Sequence, residues 1–97
     1  MAIMEITVIP ITGKSSVSEY VADALKVVKE SGLNFQLTPT ATVIEGDIDK
    51  LFELAKRIHL AMIEEGVWRN LTLIKIDDRR DKKIDMEYKV RSVMEKM

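Results

Sequence analysis

The spacing of apolar residues changes from strand-like to helix-like along the first third of the chain. Apolar residues at 4, 6 and 8 alternate with polar residues at 5 and 7, which predicts a half-buried strand from Ile3 to Ile11. Apolar residues at 17, 21, 24, 25 and 28 then recur at helical spacing, which predicts a helix to about Ser31, and Gly32 is a natural helix terminator. Ser16 and Glu19 have capping-box spacing at the start of this helix, and Ser18 is the alternative N-cap.

Two short strands and a long helix are predicted in the middle of the chain. The strands run from Asn34 to Thr38 and from Thr40 to Glu45, and their short connection around Pro39 implies an antiparallel pair. The helix begins after Asp47, its expected N-cap, and ends at Gly66. Its apolar stripe consists of Ile48, Leu51, Phe52, Ala55, Ile58 and Met62.

A fourth strand and a last helix complete the predicted elements. The strand runs from Arg69 to Asp77, the charged run at 77–83 reads as a loop, and the helix covers roughly Ile84 to Met97. The apolar stripe of that helix consists of Met86, Val90, Val93, Met94 and Met97.

The order β-α-β-β-α-β with one added helix predicts an α+β fold of the ferredoxin-like class. We expect one domain over residues 1–97, in which two helices cover one face of a four-stranded antiparallel sheet. The second face should include Thr7, Ile9 and alternate residues of the last strand. Because that strand is partly apolar on both sides, we expect this face or the C-terminal Met/Val stripe to be buried against another subunit.

Composition narrows the classes of function. The chain has no cysteine and one histidine, which excludes disulfides, thiolate chemistry and multi-histidine metal sites. A formal net charge of −1 does not favour nucleic acid or anionic membranes as partners. The N-terminus does not resemble a signal peptide and no apolar run is long enough for a membrane helix, so we expect a cytoplasmic protein. A charged share of 32% with few amides is common in heat-adapted organisms, which suggests a thermophilic source.

The segment from Gln36 to Gly46 carries the strongest candidate site. It places hydroxyls at Thr38, Thr40 and Thr42, a proline at 39 and a carboxylate at Glu45. Thr40 and Thr42 point to the same side of an extended strand, and Pro39 frees backbone groups from the ladder. We therefore predict a site for a small polar or cationic molecule. The alternative explanation is the ordinary β-propensity of threonine.

Two other features have structural explanations that we prefer. His59 lies on the apolar side of the second helix, which predicts a buried histidine with a hydrogen-bonded ring rather than a catalytic or ligand-binding group. The run at 77–83 mixes both charge signs, which is typical of a solvated turn with local ion pairs. An anion site on Arg79 or Arg80 is the alternative for that run.

Three segments together resemble the thiamine-binding-protein-like family, small ferredoxin-like proteins related to the YkoF-type thiamine-binding domains. They are S-V-S-E-Y-V at 16–21, L-T-P-T-A-T-V-I-E-G at 37–46 and I-K-I-D-D-R-R-D at 74–81. The resemblance implies a homo-oligomer, either a dimer or a tetramer, that binds thiamine or its hydroxymethylpyrimidine part without chemistry and without a cofactor. Ser18 matches the serine before the first helix of the family pattern, and Thr40 stands where many relatives have methionine.

An aminopyrimidine suits the predicted residues, because hydroxyls donate and accept while an ionised Glu45 accepts from the ring amine or pairs with a thiazolium. Ring stacking would depend on Phe35, Tyr20, Tyr88 or Trp68. Two alternatives are a small enzyme acting on a thiamine-related metabolite and a ferredoxin-like RNA-binding module. The chain offers few side chains that could serve as a catalytic acid, base or nucleophile, which disfavours the enzyme. The first strand and the core of the last strand lack the aromatic residues that stack bases, which disfavours the RNA-binding module.

Overall fold

Four strands and three helices make up the parts of the chain described by a computed structural model, residues 1–14, 17–83 and 85–97. The predicted ferredoxin-like α+β fold with an added C-terminal helix is confirmed. The elements are β1 (Ala2–Ile11), α1 (Ser18–Glu30), β2 (Asn34–Leu37), β3 (Thr42–Gly46), α2 (Ile48–Glu64), β4 (Arg69–Asp77) and α3 (Met86–Met94).

The sheet is antiparallel throughout and has the order β2-β3-β1-β4. The predicted pairing of the two middle strands is confirmed, with Asn34 opposite Glu45 and Leu37 opposite Thr42. The central strand β1 pairs with β3 only as far as Ile6 but with β4 as far as Ile11. The β1–β4 ribbon therefore extends beyond the hairpin formed by β2 and β3.

Alternation along β1 sends successive side chains to opposite faces of the sheet. Even-numbered residues of β1 face α1 and α2, and Met4 and Ile44 there are fully buried. Odd-numbered residues of β1 and β4, with Val43 and Glu45 of β3, form what we call the second face. The core lies between the first face and the two helices, and consists of Ala2, Met4, Ile6, Ala24, Val28, Ile44, Leu51, Leu54, Ala55, Ile58 and Met62.

The buried side of α2 differs by one side chain from the prediction. Phe52 was expected in the apolar stripe but is 54% exposed, whereas Leu54, which the stripe omitted, is 2% exposed. The reason is helical spacing: Leu54 lies three residues after Leu51 and four before Ile58, so all three share one side of the helix. Gly66 follows the helix with a φ of +91°, as its predicted role as terminator requires.

The helix starts agree less well with the predicted caps. Val17 occupies the N-cap of α1 and Ser18 is the first helical residue, so the alternative N-cap at Ser18 is wrong. Ser16, the other capping candidate, lies outside the described residues. Asp47 does occupy the N-cap of α2, but its side chain makes no capping hydrogen bond.

Among the described residues, no helix has the length and apolar content needed to cross a bilayer.

The added helix α3 is attached to the second face by a carboxylate. Glu45 Oε2 accepts from the Met86 N–H at 2.8 Å, and Asn34 Nδ2 donates to Glu45 Oε1 at 2.7 Å. Asp85 Oδ1 accepts from the Tyr88 N–H at 2.8 Å, which satisfies a second amide at the start of the helix. Met86 is the buried residue of α3, while the rest of its predicted apolar stripe, Val90, Val93, Met94 and Met97, is exposed.

Truncation of Leu54 and of Phe52 should have very different effects on stability. Leu54→Ala leaves a cavity in the core and should lower the free energy of unfolding by about 2–5 kcal/mol. Phe52→Ala removes a side chain that is 54% exposed, and should cost less than about 1 kcal/mol. Urea unfolding of both variants measures the difference, and equal losses would show that α2 is rotated from the orientation described above.

Removal of the Glu45 carboxylate should loosen α3. Glu45→Ala leaves the Met86 amide and the Asn34 side chain without their acceptor, and hydrogen bonds to a charged group contribute about 1.5–3 kcal/mol each. We expect a loss of about 2–4 kcal/mol in urea unfolding.

Glu5→Ala is the matched control for this variant, because Glu5 lies on the same face in an exposed ion pair with Lys75 at 3.5 Å. Such a pair contributes less than about 1 kcal/mol. If Glu5→Ala costs as much as Glu45→Ala, the carboxylate of Glu45 does not hold the helix.

Candidate ligand-binding site

A compact turn joins β2 to β3. The Thr38 N–H and the Thr38 hydroxyl both donate to the Ala41 carbonyl at 2.8 Å, and the Ala41 N–H donates to Thr38 Oγ1 at 3.1 Å. Pro39 has no backbone N–H that would need a hydrogen-bond partner in the turn, and its fixed φ suits a turn. Thr38 and Thr40 therefore lie in the turn rather than at the ends of the two strands, where the sequence had placed them.

A cavity of about 350 Å³ opens between this turn, β1 and the start of α1. Thr38, Thr40 and Thr42 all line it, so the structure brings the three predicted threonines to one space. Aliphatic side chains complete the walls, among them Val17 and Val21 of the α1 segment. The cavity exists because β1 extends past the end of β3 and the turn does not follow it.

The described lining residues include no charged and no aromatic side chain. The four aromatic residues considered for stacking are elsewhere. Phe35 and Tyr20 pack against the core, Tyr88 lies on α3, and Trp68 is 98% exposed. A ligand in this cavity would therefore meet aliphatic walls and hydroxyl groups rather than a stacking ring.

The hydroxyls around the cavity differ in how much of their hydrogen-bonding capacity is free. The Thr38 hydroxyl both donates and accepts within the turn. Thr7 was not predicted as a site residue, and its hydroxyl donates to the Thr40 carbonyl at 3.1 Å. The hydroxyls of Thr40 and Thr42 have no hydrogen-bond partner among the described residues. Among the described residues, these two hydroxyls keep their full capacity to donate and to accept, whereas that of Thr38 is partly used.

Glu45 does not join the threonines. Thr42 pairs with Ile6 on the helix-covered face, and Glu45, three residues later, lies on the second face because the side-chain period of a strand is two. The Glu45 carboxylate is 8% exposed and is engaged by Asn34 and the Met86 amide. The expected site of hydroxyls with an adjacent acid is therefore divided between two faces, and no carboxylate belongs to the described residues that line the cavity.

Ser18 lies close to the cavity in sequence but is not among its lining residues. It is the exposed first residue of α1, directly after the lining residue Val17. The structure thus places Ser18 beside the site rather than within it.

The arginines of the 77–83 loop are paired with aspartates. Arg79 makes two hydrogen bonds to Asp81 at 2.6 and 2.9 Å, and Arg80 makes two to Asp78 at 2.9 and 2.7 Å. These bonds lower the pKa of both carboxyls and raise the pKa of both guanidinium groups. The local ion pairs expected for this loop are present, and they occupy the groups that an anion would need.

His59 is tied to β4 rather than to the cavity. Its Nδ1 lies 2.6 Å from Thr72 Oγ1 and 3.2 Å from Asn70 Nδ2. The side chain is half-buried, less than predicted, but the expected hydrogen-bonded ring is present. This small network links α2 to the edge strand of the sheet.

Curated proteins of several organisms are similar to this chain over most of their length. It is 47% identical over 98 residues to the UPF0045 protein YqgV of Bacillus subtilis, covering 96% of this chain and 94% of that one. It is 39% identical over 99 residues to a UPF0045 protein of Methanothermobacter thermautotrophicus, with full coverage of both.

Solved structures agree with this relationship. Protein MJ1052 of Methanocaldococcus jannaschii superposes with a TM-score of 0.91 at 33% identity, covering 97% of this chain and 96% of that one. A Thermotoga maritima protein, whose name connects it with thiamine biosynthesis or salvage, has a TM-score of 0.82 over 95% and 97% of the chains. At 21% identity this second likeness shows the fold alone. The family described as thiamine-binding protein matches residues 4–94, and this chain belongs to that family.

Proposed function

We propose that this protein binds thiamine or its hydroxymethylpyrimidine part in the cavity beside the Thr38–Ala41 turn, without chemical change. It would act in the cytoplasm as a carrier, buffer or sensor of that ligand. The observation that carries the proposal is a cavity of about 350 Å³ with aliphatic walls, lined also by Thr40 and Thr42, whose hydroxyls have no hydrogen-bond partner among the described residues. The family description supports the same class of ligand.

The chemistry of an aminopyrimidine suits these groups. Its exocyclic amine donates hydrogen bonds and its ring nitrogens accept them, and each threonine hydroxyl does both. A flat ring with a methyl group also fits against valine and isoleucine side chains, which gain from losing contact with water. Two hydroxyls set into apolar walls can therefore orient the ring while the walls supply most of the binding free energy.

The lack of a carboxylate among the described lining residues affects how whole thiamine would bind. An unpaired cation is costly to remove from water, and Glu45 is turned to the second face. We therefore orient thiamine with the pyrimidine inside and the thiazolium at the mouth of the cavity, where water can solvate it.

Binding without reaction accords with the side chains available. A threonine hydroxyl becomes a nucleophile only when a neighbouring base takes its proton. His59, the one histidine of the sequence, is bonded to Thr72 and Asn70 instead. The groups at Thr40 and Thr42 support recognition rather than catalysis.

We further propose that the protein is a homo-oligomer, dimer or tetramer, assembled through the second face and α3. Leu73 on that face is 60% exposed, and Val93 and Met94 on α3 are each 61% exposed. These exposed apolar side chains on the sheet and on the helix docked against it favour burial against a second copy of the chain.

Ligand binding should raise the melting temperature. At one hundred times the dissociation constant, a ligand that binds only the native state adds about 2.7 kcal/mol, which for a domain of this size raises the melting temperature by roughly 10 °C or more. Thr42→Val removes one available hydroxyl and should weaken binding about threefold to tenfold, so that the shift becomes visibly smaller. Thermal unfolding with added thiamine, and separately with the hydroxymethylpyrimidine, measures both effects.

Thr72→Val is the matched control, because Thr72 is a strand threonine hydrogen-bonded to His59 and is not among the residues that line the cavity. Its own melting temperature can fall, but its ligand-induced shift should equal that of the wild type. Absence of any shift with both compounds would exclude the proposed ligand class. A full shift in Thr42→Val would exclude the proposed location.

A charge on the second face should disrupt assembly. Leu73→Lys places a cation where we propose that a second copy packs, and should reduce the mass measured by light scattering after size-exclusion chromatography. Leu60→Lys makes the same change on the exposed surface of α2 and should leave the mass unchanged. A monomeric wild-type protein, or an unchanged mass for Leu73→Lys, would contradict this assembly.

A further inference from the structure

Thr7 lies on the second face of the sheet, but its hydroxyl contacts the turn beside the cavity. In the sheet register it lies opposite Leu73 and between two residues that face the helices, so its side chain starts on the second face. Its hydroxyl nevertheless reaches the edge of β1 and donates to the Thr40 carbonyl at 3.1 Å. Thr40 also lines the cavity, and its own hydroxyl has no hydrogen-bond partner among the described residues.

The hydrogen bond from Thr7 lies where the backbone pairing between β1 and β3 has stopped. The pairing of β1 with β3 ends at Ile6 and Thr42, so a continued ladder would place Ala41 opposite Thr7. Instead the chain closes into the turn, and over the described residues β1 beyond Ile6 has a strand partner only in β4. A side-chain donor takes over where backbone pairing stops.

The hydrogen bonds inside the turn do not attach the turn to β1. The three hydrogen bonds between Thr38 and Ala41 fix the shape of the turn but do not involve β1. The hairpin ladder holds the base of the turn, and its tip is held against β1 by Thr7. Among the described residues, the bond from Thr7 is the hydrogen bond that joins the turn to β1.

We propose that Thr7 is a positioning residue for the ligand site, one that holds the turn at the spacing the ligand requires. This inference rests on the proposed function, since it concerns the same cavity. Without the Thr7 donor the turn moves relative to β1, and a ligand must order it on binding. Ordering costs free energy, and such costs appear mainly as faster dissociation.

Thr7→Val and Thr7→Ser separate positioning from simple packing. Valine keeps the branched shape and strand propensity but removes the donor, whereas serine keeps the donor and loses a methyl group. We expect Thr7→Val to bind the hydroxymethylpyrimidine about threefold to tenfold more weakly, with the change in the dissociation rate. Thr7→Ser should bind like the wild type, and neither variant should lose its fold, as judged by circular dichroism.

A measurement without ligand tests the same idea independently. In the wild type, backbone ¹⁵N relaxation at Thr40 and Ala41 should give order parameters near ~0.85, the value of rigid backbone. Thr7→Val should lower them, and Thr7→Ser should not. Unchanged order parameters or unchanged affinity in Thr7→Val would overturn the proposal, and so would a Thr7→Ser variant that behaves like Thr7→Val.

These results stay distinct from a failure of the proposed function. If the wild type binds neither thiamine nor the pyrimidine, the ligand assignment fails while the relaxation data still decide whether Thr7 holds the turn. If the wild type binds but Thr7→Val binds equally well, the ligand assignment stands and the role of Thr7 is refuted.

Discussion

The period of two along β3 is the constraint on which the architecture of this protein depends. It sends Thr42 to the helix-covered face and Glu45 to the second face, although the two residues are close neighbours in sequence. One strand thus supplies a neutral hydroxyl to a cavity and a carboxylate to a helix N-terminus. The separation keeps charge out of the cavity and places it where the amide of Met86 requires an acceptor.

Unequal strand lengths create the cavity. β1 spans Ala2–Ile11, whereas its neighbour β3 spans only Thr42–Gly46. The half of β1 that is not paired with β3 faces the Thr38–Ala41 turn across the cavity. The beginning of α1 forms a further wall of the cavity. The fold therefore forms the cavity by stopping a strand early rather than by removing side chains from the core, where Met4 and Ile44 remain fully buried.

Much of the fold follows from sequence periodicity, because alternation and helical spacing are local properties of the chain. The order of helices and strands along the chain, the antiparallel hairpin and the end of α2 before Gly66 were all predictable from local sequence. The exchange of Phe52 for Leu54 in the core shows the limit: the two residues flank the buried stripe on opposite edges, about 200° of helix rotation apart, and spacing alone does not decide which edge is buried. Tertiary packing then selects which side chain is buried.

The candidate site was predictable in part. The threonines were found because hydroxyls cluster around a proline, and their shared cavity agrees with that clustering. The opposite placement of Glu45 was implicit in its odd spacing from Thr42, once both are known to lie on one regular strand. Thr7 carried no local signal, since its role depends on where the ladder of β1 and β3 ends. That register is a long-range property which a single sequence does not display.

The self-contained bonding of the hairpin turn has a consequence for how the family can diversify. Thr38 and Ala41 close the turn between themselves, and Thr7 grips only a backbone carbonyl of residue 40. The side chain at position 40 thus takes no part in these hydrogen bonds. A substitution at position 40 can therefore change the lining of the cavity while these hydrogen bonds stay the same.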